Sequence, residues 1–243
     1  LIAEKRDQLA QGVTARGTKR TPATVNRYLS VLSHLFTIAI KEWGWLTENP
    51  LSKITKLKEP RGRVRYLSDN EREALLLACK ESKNPYLYLI VVLALSTGAR
   101  RMEILSLRWE DVDLNRKVIV LHQTKNSERR ILPIAGLALT LMEQHAKIIK
   151  FGTDLIFPSH NSKKPMDIRK PWEIALKHAG IENFRFHDLR HSAASYLAMN
   201  GASLAEIAEV LGHKTLQMVK RYAHLSEAHT AKVVASMNER IFG

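Results

Sequence analysis

Residues 187–224 read HDLRHSAASYLAMNGASLAEIAEVLGHKTLQMVKRYAH. Ser203-Leu204-Ala205-Glu206 is a capping box that opens a helix, with Leu204, Ile207, Ala208 and Leu211 giving its apolar face and Gly212 ending it. His213 therefore falls immediately past a helix terminus, and Arg221-Tyr222-Ala223-His224 lies near the end of the next short helix. Upstream, His187 and Arg190 are three residues apart, so a helix presents both on one face. His187 and His191 have the i, i+4 spacing that can hold a metal, but no third ligand of suitable spacing accompanies them, which argues against a zinc site.

Outward from this stretch the chain reads as mainly α with a small β-sheet, in two domains. From Thr21 to Lys41 apolar residues recur at Val25, Tyr28, Leu29, Leu32, Leu35, Phe36, Ala39 and Ile40, the spacing of a helix with one buried face. Thr21-Pro22 supplies its cap and first-turn proline, and Gly44 its stop. Arg27, His34 and Lys41 recur every seven residues on the other face, a solvated stripe or one that faces DNA. Residues 1–52 are expected to form a partial helical domain. Residues 53–66 carry Lys53, Lys56, Lys58, Arg61, Arg63 and Arg65 around Pro60 and Gly62, and are expected to be a basic linker able to follow a phosphate backbone. The second domain, 67–243, opens with the capping box Ser68-Asp69-Asn70-Glu71. Helices are expected at Tyr86 to Ser96 and Arg100 to Leu107, and two short strands at Lys117 to His122 and Arg129 to Pro133, joined by a polar loop that carries Lys125. Beyond Gly136 the pattern is helical apart from a loop region between Gly152 and Pro165. Ser226 is expected to cap a last helix whose Val234, Met237 and Ile241 form an apolar stripe, for docking on a neighbouring copy or back on its own domain.

Composition narrows the function. Thirty-eight Lys and Arg against 24 Asp and Glu give a formal charge of +14, which points to a polyanionic partner, with nucleic acid ahead of a membrane surface. No apolar run is long enough to span a bilayer, and no signal-peptide pattern opens the chain. The chain starts at Leu1 inside an apparent helix, so a fragment of something longer is expected. The lone cysteine, Cys79, sits in a helical apolar pattern as a small core residue and fits a reducing compartment.

Thr97-Gly98-Ala99-Arg100 adds the last segment: Gly98 permits a tight turn from which Arg100 projects, with Glu103 one turn on to support an Arg or the fold. Two Arg, a Lys, two His and a Tyr without a carboxylate pair suit phosphoryl transfer to a tyrosine hydroxyl. Arg stays charged and binds phosphate oxygens bidentately, Lys can protonate a leaving alkoxide, and a phosphotyrosine link conserves bond energy. These four segments, in this order, resemble those of the tyrosine recombinases, specifically the phage and genomic-island integrases. The resemblance covers nearly the whole chain and is strongest between Thr97 and Leu225.

That resemblance implies a two-domain clamp on duplex DNA, made of a core-binding domain and a catalytic domain. Arg100 and Arg190 would clamp the scissile phosphate, and Arg100 rather than Arg101 fits the family's Thr-Gly-x-Arg pattern. Lys125 would be the general acid, His187 a general base or orienting partner, and His213 a hydrogen-bond donor to the phosphate. Tyr222 would be the nucleophile, leaving a 3′-phosphotyrosine and a free 5′ hydroxyl. No metal or other cofactor is expected. The implied partners are double-stranded attachment-site DNA, three further copies in a homotetramer, and DNA-bending accessory proteins, at a cytoplasmic, nucleoid-associated location. Where many integrases have Thr three residues before the nucleophile, this chain has Val219, which removes no catalytic group; no separate arm-binding domain is expected within these residues. Two other readings remain: a type IB topoisomerase with the same chemistry, and a helix-turn-helix regulator built on Ser203 to Tyr222, which leaves Arg100, Lys125 and His187 without a task.

Overall fold

The computed structural model describes residues 1–60, 62–122, 129–148, 152–160 and 164–243. The chain divides into two compact units, Leu1–Arg63 and Val64–Gly243.

In the first unit, α1 (Ile2–Gln11) packs on α2 (Pro22–Lys41). Thr21 caps α2 by accepting a hydrogen bond from the Thr24 amide, and Pro22 occupies the first turn. Val25, Leu29 and Ala39 are buried, but Tyr28 and Leu35, expected on the same face, are exposed; the unit covers a narrower stripe than the periodicity offers. Asn26 is buried on α2 and holds the end of the unit. Its Nδ2 donates to the Leu57 carbonyl at 2.8 Å and to Glu59 Oε1 at 2.7 Å, while its Oδ1 accepts from the Leu57 amide at 2.9 Å. The stretch read as a linker is thereby divided: residues up to Arg63 belong with the first unit, Val64 onward with the second.

The second unit is built around α4 (Leu87–Thr97), whose run LYLIVVLALST buries residues on every side. Around it pack α3 (Asp69–Lys80), α5 (Arg101–Leu105), α6 (Gly136–Ala146) and α8 (Asp188–Met199), and α7 (Arg169–His178) packs on α3. Each fully buried Leu or Ile of this core contributes roughly 1.5–3 kcal/mol, which is why so apolar a helix is stable only here. The capping box of Ser68 and Glu71 starts α3, as the sequence predicts. Cys79 is buried on α3, and burial pushes its thiol up to about 12. A three-stranded antiparallel sheet, β1 (Val112–Asp113), β2 (Val118–Leu121) and β3 (Arg130–Pro133), covers one side, with Val120 opposite Ile131. β1 is too short to leave an alternation in the sequence and is an addition to the two strands expected. Lys125 and its loop lie outside the described residues, as does Arg61.

The end of the chain forms a second, smaller apolar cluster. α9 (Leu204–Leu211) runs from the Ser203–Glu206 capping box to Gly212 and packs on α8. Two 3₁₀ segments follow, Leu216–Met218 and Lys220–Ser226, and bury Val219 and Tyr222 against Ala194, Ala198, Ile207 and Leu211. α10 (Glu227–Phe242) starts against the second of these segments, and its Val233, Val234, Met237 and Ile241 are exposed. Ser226 precedes α10 but does not cap it: its hydroxyl donates back to the Ala223 carbonyl at 2.8 Å, because the chain enters α10 directly from a 3₁₀ turn. Among the described residues no helix is long and apolar enough to cross a membrane.

Candidate active site

The Thr97-Gly98 turn and the Leu211-Gly212 turn, 113 residues apart in sequence, meet in space. Gly98 ends α4 with φ +61°, and a Cβ placed on it would lie 2.4 Å from Leu211 Cδ2, so both conformation and space require glycine. Arg190, in the first turn of α8, staples the two turns together. Its Nη1 donates to the Gly98 carbonyl at 2.7 Å and its Nη2 to the Leu211 carbonyl at 2.5 Å.

Arg100 precedes α5, and Glu103 answers it. The carboxylate accepts from the Arg100 backbone amide at 2.8 Å and from Arg100 Nη1 at 2.6 Å. A second cation completes the arrangement. Arg130, at the start of β3 and buried, donates through Nη2 to Glu103 at 2.9 Å and through Nη1 to the Leu211 carbonyl. Burial alone would raise Glu103, but the Arg100 hydrogen bonds and the charges of Arg130 and Arg100 outweigh it and hold the carboxyl below its usual range. Burial, then the charges of Arg100 and Arg130, pushes Arg190 down to about 10, which leaves it charged at neutral pH. Arg100 and Arg130 thus share the Glu103 carboxylate while Arg190 is held on two carbonyls, and the unbalanced positive charge suits an anion.

The histidines and the tyrosine border this cluster. His187 stands at the entrance to α8, its ring edge-on to His191 at 5.6 Å; burial and Arg190 depress its pKa. His213 is pushed down to about 4, first by burial and then by Arg190, Arg100, Arg130 and Arg221. Its Nδ1 is buried with no hydrogen-bond partner among the described residues. Tyr222 is 2% exposed, and its hydroxyl meets His191 Nδ1 at 2.5 Å. Burial raises the phenol's pKa, against the opposing charges of Arg221 and Arg190. A cleft of about 1200 Å³ opens beside these groups, lined among others by Arg100, Arg101, Arg108, Arg185 and His187.

Residues 65–229, more than half of the chain, match the Phage integrase family. The chain belongs to that family. It is 36% identical over 231 residues to the shufflon-specific DNA recombinase of Escherichia coli, an alignment covering 92% of this chain and 57% of that protein. It is 30% identical to the catalytic domain of bacteriophage HP1 integrase, with a TM-score of 0.57 and coverage of 71% of this chain and 95% of that domain. A lambda integrase (75–356) dimer bound to a core site shares the fold, with a TM-score of 0.71 at 23% identity and coverage of 93% and 80%. This phage-integrase chain spans about three-fifths of the length of the shufflon recombinase and of the Salmonella phage P22 integrase.

Of the site residues expected from the sequence, Arg100, His187, Arg190, His213 and Tyr222 all belong to this one region of the second unit. Lys125 lies outside the described residues. Arg27, His34, Lys41, Lys53, Lys56, Lys58 and Arg63 are exposed on the first unit, where His34 and Lys56 line a small pocket. Arg65 belongs to the second unit and is engaged there. It forks onto Glu71, with one bond of 2.9 Å, and lies 5.3 Å over the Phe184 ring; its hydrogen bond pulls Glu71 down to about 2. The sequence reading missed Arg130 as a member of the site and paired His191 with His187 rather than with Tyr222. A signal for Arg130 existed: along β3 burial alternates, so Arg130 shares the inner face of Leu132 while Ile131 faces out.

Proposed function

We propose that this chain is the core of a site-specific recombinase that cleaves and rejoins duplex DNA through Tyr222, for integration or excision of a mobile element. The observation that carries this reading is the convergence of Arg100, Arg130 and Arg190 on Glu103 and the end of α9, beside Tyr222 and a His213 nitrogen that has no partner among the described residues. Arg100 and Arg190 hold the non-bridging oxygens of the scissile phosphate, where charge accumulates as the fifth P–O contact forms. His213 adds a hydrogen bond to the same group. The Tyr222 oxygen attacks phosphorus and gives its hydroxyl proton to solvent water, the bond to the 5′ oxygen breaks, and the Lys125 ammonium delivers a proton to that oxygen. The DNA 3′ end is then a phosphodiester of Tyr222, and a 5′ hydroxyl from a second duplex reverses the step without any external energy source.

Three further copies complete the synaptic assembly in this reading, with the exposed α10 stripe of Val234, Met237 and Ile241 covered by a neighbouring copy, and bending proteins shape the attachment sites. Val234→Glu with Met237→Glu should lower the assembly size on DNA in gel filtration. Unchanged assembly removes that part.

The main test is a nicked suicide duplex carrying the attachment site, with EDTA present. A covalent protein–DNA adduct on a denaturing gel, absent from Tyr222→Phe, is expected. Adducts that relax plasmids lacking the site would favour a topoisomerase, and binding without an adduct would favour a regulator.

A further inference from the structure

We infer that His191 is the positioning residue for the nucleophile: its Nδ1 takes the hydrogen bond of the Tyr222 hydroxyl and so turns the oxygen's lone pairs toward the phosphate. The inference rests on the reading of Tyr222 as the nucleophile and goes beyond it, since the resemblance implies a general base or orienting partner at His187 and gives His191 no role.

Among the described residues the Tyr222 hydroxyl makes one hydrogen bond, and its partner is His191 at 2.5 Å; the rings lie 6.0 Å apart, tilted by 46°. His187 meets His191 ring to ring, not Tyr222. A neutral phenol has one proton to donate. Burial keeps Tyr222 protonated at neutral pH, and burial with the charges around His191 holds that imidazole down to about 4, hence neutral. The hydroxyl therefore donates, Nδ1 accepts, and the ring proton of His191 sits on Nε2. A phenol that pointed its proton at a phosphate oxygen would bind the substrate rather than attack it; one that gives its proton to His191 keeps its lone pairs free.

The same reasoning separates holding from deprotonating. An imidazole protonated only below about 4 is a poor sink for a phenol proton whose ordinary pKa is about 10. His191 orients the hydroxyl, and as the P–O bond forms the phenol proton passes to solvent water. The helix makes the arrangement rigid. Arg190 and His191 are consecutive on α8, flanked by the fully buried Ser192, so one backbone fixes both the arginine stapled to Gly98 and Leu211 and the acceptor for Tyr222. Α8 also packs directly against the Lys220–Ser226 segment that carries Tyr222.

Single-turnover adduct formation by the full chain on the suicide duplex tests this. His191→Leu should slow it by about a hundredfold with DNA affinity unchanged. His191→Asn, whose amide places an acceptor where Nδ1 stood, should stay within about fivefold of the parent. A duplex with sulfur in place of the bridging 5′ oxygen has a leaving group that departs without a proton; on it the Leu variant should remain slow while Lys125→Ala recovers. Parent-like rates for His191→Leu, equal loss in Asn and Leu, or recovery of the Leu variant on the sulfur duplex would each overturn the inference. Should the Leu variant fail to fold, His191→Gln, whose acceptor lies beyond the Nδ1 position, takes its place with the same expectation. If Tyr222→Phe still forms an adduct, the reading of the nucleophile falls instead.

Discussion

The first unit and the second unit are both rich in cations, and they hold them in opposite ways. On α2 and the segment after it, Arg27, Lys41, Lys53, Lys56 and Lys58 are exposed, and Lys53 makes a loose 4.0 Å approach to Glu48. In the second unit Arg130 and Arg190 are buried at 9% and 4% exposure, with donors fixed on carbonyls and a carboxylate. An exposed cation neutralises a phosphate wherever the backbone passes, with little dependence on geometry. A buried guanidinium costs desolvation, which fixed partners offset, so it can impose a geometry; even so, Arg130 Nε has no hydrogen-bond partner among the described residues. Net charge sums the two kinds; only structure separates them.

The largest effect should come from Arg190. Arg190→Met removes a guanidinium proposed to hold the phosphate, leaves the Gly98 carbonyl without this donor and leaves the Leu211 carbonyl to Arg130. Adduct formation should fall by on the order of 10²–10³-fold. Arg190→Lys keeps the charge but cannot reach two carbonyls from one planar fork, and should recover only a small part. Full activity in the Lys variant, measured on the suicide duplex, would mean that charge alone matters and would erase the contrast between the two regions.

Glu103 sharpens the contrast on the side of stability. Glu103→Gln leaves buried Arg130 without a counter-charge and should cost on the order of 3 kcal/mol in urea unfolding. The sign of the pH dependence follows. Glu103 and Glu71 have folded pKa values below the ordinary carboxyl value of 4.5, Glu71 at about 2. Their stabilisation is complete above that ordinary value and is lost as pH falls through the folded values. Unfolding free energy should thus decline between pH 4.5 and about 2, and Glu71→Gln should flatten the decline. A flat profile in the parent chain would show these carboxylates to be unperturbed.

What was legible beforehand divides along the same line. Capping boxes at Ser68–Glu71 and Ser203–Glu206 are complete within four residues, and both formed where the sequence placed them. The α4 core is a local apolar run. The five described candidate residues could be singled out because each sits in a short motif with its own turn or cap. Arg130 was not, because its meaning comes from Leu211, 81 residues away, and from an alternation only four residues long. His191 was seen as half of an i, i+4 pair, whereas its partner lies 31 residues downstream. Tyr28 and Leu35 fit the helical period of α2 and are exposed, since a period gives a face but not how much of it is covered.

Two glycines compare the regions without touching charge. Gly44, in the first unit, and Gly98 have nearly the same φ, +64° and +61°. A Cβ at Gly44 meets nothing within 4 Å, so Gly44→Ala should cost only the left-handed strain, about 1–2 kcal/mol. Gly98→Ala adds a collision with the fully buried Leu211, worth about 1–3 kcal/mol more, and should also slow adduct formation by parting the turns that Arg190 joins. Equal thermal shifts for the two variants would show that Leu211 yields freely.

The smallest effect on stability belongs to the exposed cations. Arg27→Gln and Lys41→Gln remove side chains exposed on α2, and each should change unfolding free energy by no more than about 0.5 kcal/mol. If either cation meets phosphate, its loss should appear instead in DNA binding, as a salt dependence shallower by about 0.9 per contact removed. Titration of a duplex at several salt concentrations reads this directly. An unchanged slope in both variants would leave α2 with a merely solvated face, and would confine the functional charge of this chain to cations other than these two.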